Sequence, residues 1–335
     1  MSQLLEVKDL VTSFRTAGEK LSAVRGVSFS VSQGETLCIV GESGCGKSIT
    51  TLSVMGLLPK NGEITNGSIL FNGDDLTDKK EEEMRKIRGN DISMIFQEPM
   101  TALNPVFTVG YQLMEPLKLH TSLSKVEVKR KAIDLLNQVG IPDPEKCLKK
   151  YPHELSGGMR QRVMIAMSLA CNPSLLIADE PTTALDVTIQ AQILELIDEL
   201  KHELGMGVVM VTHDMGVVAE VADRVMVMYA GKVVETGTVE EIFKAPKHPY
   251  TRGLLASVPN VDDAEHTLEA IPGSLPNLNE KISGCRFHPR CPHAMDQCLE
   301  KDPPNFKLSK SHNSKCWLHE DEEVSVNGDR ATATY

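Results

Sequence analysis

The sequence is poor in aromatic residues and has no long apolar run. Phe, Trp and Tyr make up 4% of the 335 residues, and there is a single Trp. No apolar stretch approaches the roughly 18–20 residues that a helix needs to span a bilayer. The N-terminus lacks the basic start and apolar core of a secretion signal. We therefore expect a chain that stays in the cytoplasm and reaches a membrane only through a partner.

Positive charge is also scarce. The sequence contains 35 Lys and Arg residues and 46 Asp and Glu residues, which gives a formal net charge of −11. Domains that bind nucleic acid by neutralising phosphates are typically basic, so we expect no nucleic-acid partner. A hydrophobic content of 41% with 24% charged residues is ordinary for a soluble globular protein. The length favours one large α/β domain with an appendage.

A glycine-rich loop at 41–48 fits the pattern G-x-x-x-x-G-K-[ST]. The apolar segment 36–40 before it predicts a buried strand, and 49–58 predicts a helix that ends before Pro59. Such a loop points backbone N–H groups inward and the helix start adds partial positive charge, so phosphate fits there. The alternative is a chance match in a glycine turn. The predicted nucleotide-binding residues are Gly41, Glu42, Ser43, Gly44, Cys45, Gly46, Lys47, Ser48 and Ile49.

Two carboxylates follow a second predicted strand at 174–178. Asp179 and Glu180 come at its carboxyl end, where ligands bind in open α/β sheets. Asp179 and the Ser48 hydroxyl suit Mg²⁺, Glu180 suits a general base or positioner for water, and Lys47 suits the β- and γ-phosphates. These residues predict a site for ATP and Mg²⁺. A pair of solvated acids in a loop is the alternative.

A second phosphate-binding string lies at 155–159. Ser156, Gly157 and Gly158 precede a predicted helix over 163–171, which forms an anion site with the Ser156 hydroxyl as an additional donor. The chain already has its own glycine loop. We therefore expect this segment to contact ATP that is bound by another ATPase domain.

In this order, the motifs resemble those of the nucleotide-binding domains of ABC transporters. The resemblance implies a P-loop NTPase domain over 1–245. That domain would have a RecA-like α/β core, an antiparallel β-subdomain and a helical subdomain at about 89–165. Segment 155–159 departs from the commoner L-S-G-G-Q only at Met159.

The same resemblance assigns roles to further residues. It places Gln97 in the Q-loop, near Mg²⁺ and the γ-phosphate, and His213 at the switch-histidine position that contacts the γ-phosphate. With Glu180 as the catalytic glutamate, these are the predicted catalytic residues. It places the D-loop at 184–186 and an adenine-stacking aromatic at Phe14. The alternative for Phe14 is an ordinary core phenylalanine.

Four cysteines are concentrated near the C-terminus with the spacing C-x5-C-x6-C-x17-C. In a cytosolic chain such a cluster more often binds metal than forms disulfides. The spacing is looser than in most zinc sites and suits an iron–sulfur cluster, with zinc and unligated thiols as alternatives. His288, His293 and His312 are alternative ligands. The predicted cluster ligands are Cys285, Cys291, Cys298 and Cys316.

The segment 247–255 resembles the tail of peptide-permease ATPases, whose similar cysteines are taken to ligate [4Fe–4S]. This resemblance extends to about residue 320 and identifies the chain as a D-type subunit of dipeptide/oligopeptide permeases. It implies a linker at 246–284, a four-cysteine module at 285–320 and a flexible tail at 321–335. It also implies an ATPase that powers peptide import from the cytoplasmic face of the membrane, as a peripheral subunit.

The implied partners are a homologous F-type ATPase subunit, two membrane-spanning permease subunits and an extracytoplasmic peptide-binding protein. The alternatives are the same machine with nickel or another solute as cargo, a soluble ABC ATPase that acts on DNA or ribosomes, and a regulatory redox protein without turnover. The sequence has neither the long coiled-coil insertion nor the second fused ATPase domain of the soluble types.

Overall fold

Two β-sheets organise the residues that the computed structural model describes, which are 3–16, 18–97, 102–182, 186–257 and 271–320. The strands are β1 (Gln3–Thr16), β2 (Glu19–Ser32), β3 (Thr36–Val40), β4 (Gly62–Phe71), β5 (Asp74–Asp75), β6 (Ile92–Ile95), β7 (Leu175–Asp179), β8 (Gly207–Val211), β9 (Arg224–Tyr229), β10 (Lys232–Thr238), β11 (Phe306–Lys307) and β12 (Asn313–Ser314). The first sheet has the order β2-β1-β4-β5 and the second β11-β12-β10-β9-β3-β8-β7-β6.

Helices cover the second sheet and form a separate layer in the middle of the chain. The helices are α1 (Lys47–Met55), α2 (Glu81–Ile87), α3 (Val109–His120), α4 (Lys125–Gln138), α5 (Pro144–Cys147), α6 (Gly157–Ser168), α7 (Val187–Leu204), α8 (Met215–Val221), α9 (Val239–Lys244), α10 (Pro249–Ala256) and α11 (Asp296–Glu300). No described helix is both long and apolar enough to cross a membrane.

The parallel core of the second sheet sets the position of the candidate site. Strands β6, β7, β8 and β3 pair in parallel, and β3 also pairs in parallel with β9. Every residue of β3, β7 and β8 is buried, as expected for parallel strands that are covered on both faces. Because β3 and β7 flank β8, the glycine loop after β3 and the carboxylates at the end of β7 lie at the same edge.

The first sheet is antiparallel and half-buried. Strand β1 pairs with β2 on one side and with β4 on the other. The pairing places Phe14 opposite Gly62. The resemblance to ABC nucleotide-binding domains implied an antiparallel β-subdomain of this kind.

Two helices have ends that differ from those predicted. Helix α1 ends at Met55 because Gly56 adopts a left-handed conformation with φ of 62° and bonds back to the last turn. Helix α6 begins directly after Ser156, because the Ser156 hydroxyl accepts a hydrogen bond from the Met159 N–H and caps the helix there.

The C-terminal segments are anchored to the main domain. Strand β12 pairs with β10 in the second sheet, and Lys232 forms an ion pair with Asp302. Tyr250 and Phe287 are fully buried, with 0% and 2% exposure, in the same hydrophobic core as the parallel strands. The limits of the linker and of the cysteine module stay predictions, and residues 321–335 lie outside the described part of the chain.

Replacing Phe287 tests this shared core. Its ring packs against Tyr229 and Tyr250, with centroids 5.1 and 5.4 Å away. We expect Phe287→Ala to lower the free energy of unfolding by about 3–5 kcal/mol, measured by urea denaturation. The control Phe107→Ala removes an exposed ring and should cost about 1 kcal/mol. Equal costs would show that the C-terminal segment contributes nothing to the core.

Candidate nucleotide site

Two glycines allow the loop after β3 to pack tightly against neighbouring backbone. Gly41 has φ of 148°, and a Cβ there would lie 2.2 Å from the Met228 carbonyl oxygen. Gly46 has φ of 108°, and a Cβ there would lie 2.9 Å from the Ala23 carbonyl oxygen. Any residue with a side chain is therefore excluded at both positions. Helix α1 begins directly after this loop, so its free N–H groups lie at the loop.

Lys47 is held by the loop itself. Its side chain is buried, and its Nζ donates hydrogen bonds to the carbonyl oxygens of Gly41 at 2.6 Å and Glu42 at 3.1 Å. The positive charge therefore lies at the loop that leads into α1. A cation in this place, next to free N–H groups, makes the loop a site for an anion.

Hard oxygen atoms from two elements meet beside the loop. The Ser48 hydroxyl donates a hydrogen bond of 3.1 Å to Oδ1 of Asp179 at the end of β7. Asp179 is buried, and that burial raises its pKa against the opposing effect of the Ser48 hydrogen bond. A hydroxyl and a carboxylate in contact are the ligand types that Mg²⁺ prefers.

Glu180 is the centre of a cluster of the three predicted catalytic residues. Its carboxylate accepts a 2.8 Å hydrogen bond from Gln97 Nε2 and lies 3.2 Å from His213 Nδ1. The side chain is 14% exposed, whereas that of His213 is 62% exposed. Glu180 has a left-handed backbone with φ of 48°, which costs a non-glycine residue about 1 kcal/mol or more. Its N–H donates to the Val211 carbonyl oxygen at 2.9 Å, which fixes this turn.

The second phosphate-binding string lies at the start of α6 beside a cleft of about 550 Å³. Ser156 and Gly157 are exposed, and Gly158 is half-buried against Ile189. The cleft is lined by described residues from the segment 140–192. They include Ser156, Gly157, Gly158 and Arg162.

The remaining predicted residues fall into three groups. Phe14 is half-buried with its ring against Gly62, which leaves both of its predicted roles open. Cys45 is buried in the hydrophobic core beside the loop, and its burial raises the pKa of its thiol. Residues 184 and 185 of the D-loop lie outside the described residues, while Asp186 caps α7.

The four C-terminal cysteines approach each other. The Cys285 N–H donates to the Cys298 carbonyl oxygen at 2.9 Å. Burial, together with the nearby Cys285, Cys291 and Cys298 thiols, raises the pKa of Cys316 to about 12. Within the described ranges, however, no group of three or more His, Cys, Asp or Glu side chains is arranged to hold a metal ion. This finding supports neither the zinc nor the cluster prediction.

Three residues at the site had no predicted role. Gln161 is buried and donates to the Pro181 carbonyl oxygen, which links α6 to the segment after Glu180. Tyr250 and Arg290 reach the glycine loop from the C-terminal region, where both contact Glu42. Gln161 lies in the segment 160–162 directly after Met159, so its position next to a motif could have drawn attention to it. No sequence signal pairs Arg290 with Glu42, because the two residues lie far apart in the chain.

Known proteins with similar sequences cover almost the whole chain. The oligopeptide transport ATP-binding protein OppD of Bacillus subtilis is 55% identical over 95% of this chain and 89% of its own length. The dipeptide transport ATP-binding protein DppD of the same organism is 54% identical over 98% and 99%. A putative peptide import ATP-binding protein, BMEII0863 of Brucella melitensis, is 54% identical over 93% and 96%.

Solved structures show the same fold. The dimeric structure of the ATP-binding cassette MJ0796 bound to ADP and Pi matches with a TM-score of 0.64 and 29% identity, over 70% of this chain and 98% of that one. The transporter component cbiO1 of Clostridium perfringens matches with a TM-score of 0.62 and 28% identity, over 73% and 92%. These matches confirm the predicted ABC-type nucleotide-binding fold but not the cysteine module.

Two family descriptions match successive parts of the chain. "ABC transporter" covers residues 24–183, and "Oligopeptide/dipeptide transporter, C-terminal region" covers 234–298. The glycine loop and the acidic pair lie within the first match, and the segment 234–298 lies within the second. The chain is a member of the ABC transporter family of ATPases, in the branch defined by the oligopeptide/dipeptide C-terminal region.

Proposed function

We propose that this chain hydrolyses ATP to drive a bacterial importer of dipeptides or oligopeptides, as a peripheral subunit at the cytoplasmic face of the membrane. The observation that carries the proposal is the Gln97–Glu180–His213 cluster beside the Ser48–Asp179 contact. It unites a base, its positioning groups and ligands for a cation at one sheet edge. The relatives described as oligopeptide, dipeptide and peptide transport proteins support peptides as the cargo.

The loop and its cation bind the nucleotide. Lys47 exchanges the carbonyl oxygens of Gly41 and Glu42 for phosphate oxygens, while the free N–H groups at the start of α1 hold the phosphates. Ser48 and Asp179 would hold Mg²⁺, which supplies charge neutralisation for the phosphates when bound.

Glu180 prepares the attacking water. Its carboxylate accepts the water proton, and its position is fixed by Gln97, by the left-handed turn and by the bond to Val211. His213 lies close enough to Glu180 to share this water and donates toward the γ-phosphate. Gln97 and His213 approach Glu180 from the ends of two different strands, β6 and β8, so each contributes separately to the position of its carboxylate.

A second ATPase subunit completes each site in this proposal. Ser156 caps α6 beside an open cleft whose described lining comes from 140–192, which does not include the glycine loop. The cleft suits the γ-phosphate of ATP held by a partner's glycine loop, with the Ser156 hydroxyl and the α6 N–H groups as donors. The dimer reported for the MJ0796 cassette supports such pairing. We assign the partner position to a homologous F-type subunit.

An exposed aromatic pair supports contact with the permease subunits. Phe107 and Tyr111 stack with ring centroids 4.5 Å apart and are 40% and 48% exposed, and the neighbouring Val106 is 70% exposed. Exposed clusters of large apolar side chains are typical of protein interfaces. This surface receives a cytoplasmic helix of one of two permease subunits, which take peptide from an extracytoplasmic binding protein. The rival cargo is nickel or another solute.

Replacing Glu180 tests the proposed function. In a strain that lacks the chain, we expect Glu180→Gln to abolish uptake of labelled dipeptides and longer peptides, because the base is lost. In membranes, ATP hydrolysis should fall about 100-fold or more while ATP binding persists. The control Glu240→Gln removes an exposed carboxylate that pairs with Lys244 and should leave both activities intact. Normal hydrolysis by Glu180→Gln would refute the role of Glu180, and wild-type uptake of nickel instead of peptide would refute the cargo.

We further propose that Cys285, Cys291, Cys298 and Cys316 hold a [4Fe–4S] cluster. Support comes from the four-sulfur donor set and from the approach of the thiols to each other in a buried region. The spacing C-x5-C-x6-C-x17-C is looser than that of most zinc sites, which disfavours zinc. Bound to these residues, the cluster would tie together a segment that has little core of its own.

Anaerobic purification tests this second proposal. We expect a brown protein with about four iron atoms per chain, because four thiolates ligate one cubane cluster. Cys298→Ser should lose most of the iron, whereas Cys147→Ser removes a buried cysteine elsewhere and should keep it. A colourless protein that contains zinc would overturn the assignment.

A further inference from the structure

The C-terminal region holds the first variable residue of the glycine loop by three contacts. Nη1 of Arg290 lies 3.0 Å from each carboxylate oxygen of Glu42. The Glu42 N–H donates to the Tyr250 hydroxyl at 2.9 Å. The backbone and the side chain of Glu42 are therefore both fixed by residues more than 200 positions away in the chain.

Arg290 is itself rigidly placed. Its side chain is 7% exposed, its Nε donates to the Pro272 carbonyl oxygen at 2.8 Å, and its guanidinium lies 5.7 Å from the ring centroid of Tyr229. Tyr250 has 0% exposure and packs edge-on against Tyr229 at 4.7 Å. Buried charge-assisted hydrogen bonds of this kind hold their partners more firmly than surface ion pairs do.

Glu42 is an unfavourable residue for an anion-binding loop. Its carbonyl oxygen accepts a hydrogen bond from Lys47 Nζ, so its backbone adjoins the loop's cation. An unpaired carboxylate there repels phosphate and competes with it for Lys47. The Arg290 guanidinium removes both effects, because it neutralises the carboxylate and binds both of its oxygens.

We propose that Arg290 and Tyr250 are positioning residues of the ATP site, through which the C-terminal region sets the affinity of the glycine loop for ATP. The inference rests on the proposed function, since it assumes that the loop binds ATP. A purely structural role of Arg290 in anchoring the tail is the competing explanation. The two differ in what happens when Glu42 is changed together with Arg290.

The test is ATP affinity of the full-length purified chain, measured by equilibrium dialysis with labelled ATP and Mg²⁺. We expect Arg290→Gln to raise the Kd roughly tenfold, because an unpaired unit charge close to the phosphates weakens anion binding by this order of magnitude. High salt should shrink this difference. Glu42→Gln alone should lower the Kd, because it removes the negative charge and keeps the backbone groups of residue 42. The double variant Glu42→Gln/Arg290→Gln should bind within about threefold of wild type, since it has no charge to neutralise.

Arg88 offers a matched control. Its Nη1 lies 2.9 and 3.0 Å from the two carboxylate oxygens of Glu81, and its Nε donates to the Met55 carbonyl oxygen, but at the far end of α1. Arg88→Gln removes the same set of contacts and should leave the Kd unchanged. Arg290→Lys keeps the charge and should bind nearly as wild type does.

The outcomes separate the explanations. If both single variants weaken binding and the double variant is no better than Arg290→Gln, the role of Arg290 is structural and the inference fails. If Arg290→Gln does not fold, weaker binding by Glu42→Gln or by Arg290→Lys overturns the inference in the same way. If the wild type and Arg88→Gln bind no ATP, the proposed function itself is wrong.

Discussion

Parallel pairing of β7 with β8 is the constraint on which the site depends. The register places Asp179 beside Val211, and the next residue, Glu180, bonds back to the Val211 carbonyl oxygen. Since His213 follows β8 by a short step, a shift of one residue in this pairing would separate it from Glu180. The Ser48–Asp179 contact depends on the same sheet edge, because β3 pairs with the other side of β8. Strand register, more than any single side chain, therefore assembles the chemistry.

Local pattern predicted the parts of the fold that local forces determine. The apolar runs of β3 and β7 and the glycine loop between strand and helix followed from periodicity and composition, and the structure contains them. Helix ends were less accurate, since a left-handed Gly56 and the Ser156 cap decide them. The meeting of Gln97, Glu180 and His213 was expected from a family resemblance and not from spacing. Their actual contacts arise from tertiary packing that a linear pattern does not encode.

The C-terminal region was the part that sequence patterns described least well. The family resemblance implied a linker at 246–284, yet Tyr250 and the later Phe287 are among the best buried aromatic residues that the structure describes. Their apolar partners lie in β9 and the parallel core, far away in sequence, so no local window contains the signal. The turn between Cys285 and Cys291 contains Arg290, so the four-cysteine segment contacts the glycine loop through the Arg290 side chain.

The close contact of Gly41 with the Met228 carbonyl oxygen has a consequence for the energetics of binding. A loop packed this tightly against β9 has little freedom to change its shape, so little conformational entropy is lost when a ligand binds. The conformational entropy of the loop is lost when the protein folds, because the strands that form the core also hold the loop. Preorganisation of this kind links the tightness of anion capture to the integrity of the sheet, and mutations that loosen β9 should weaken capture before they unfold the protein.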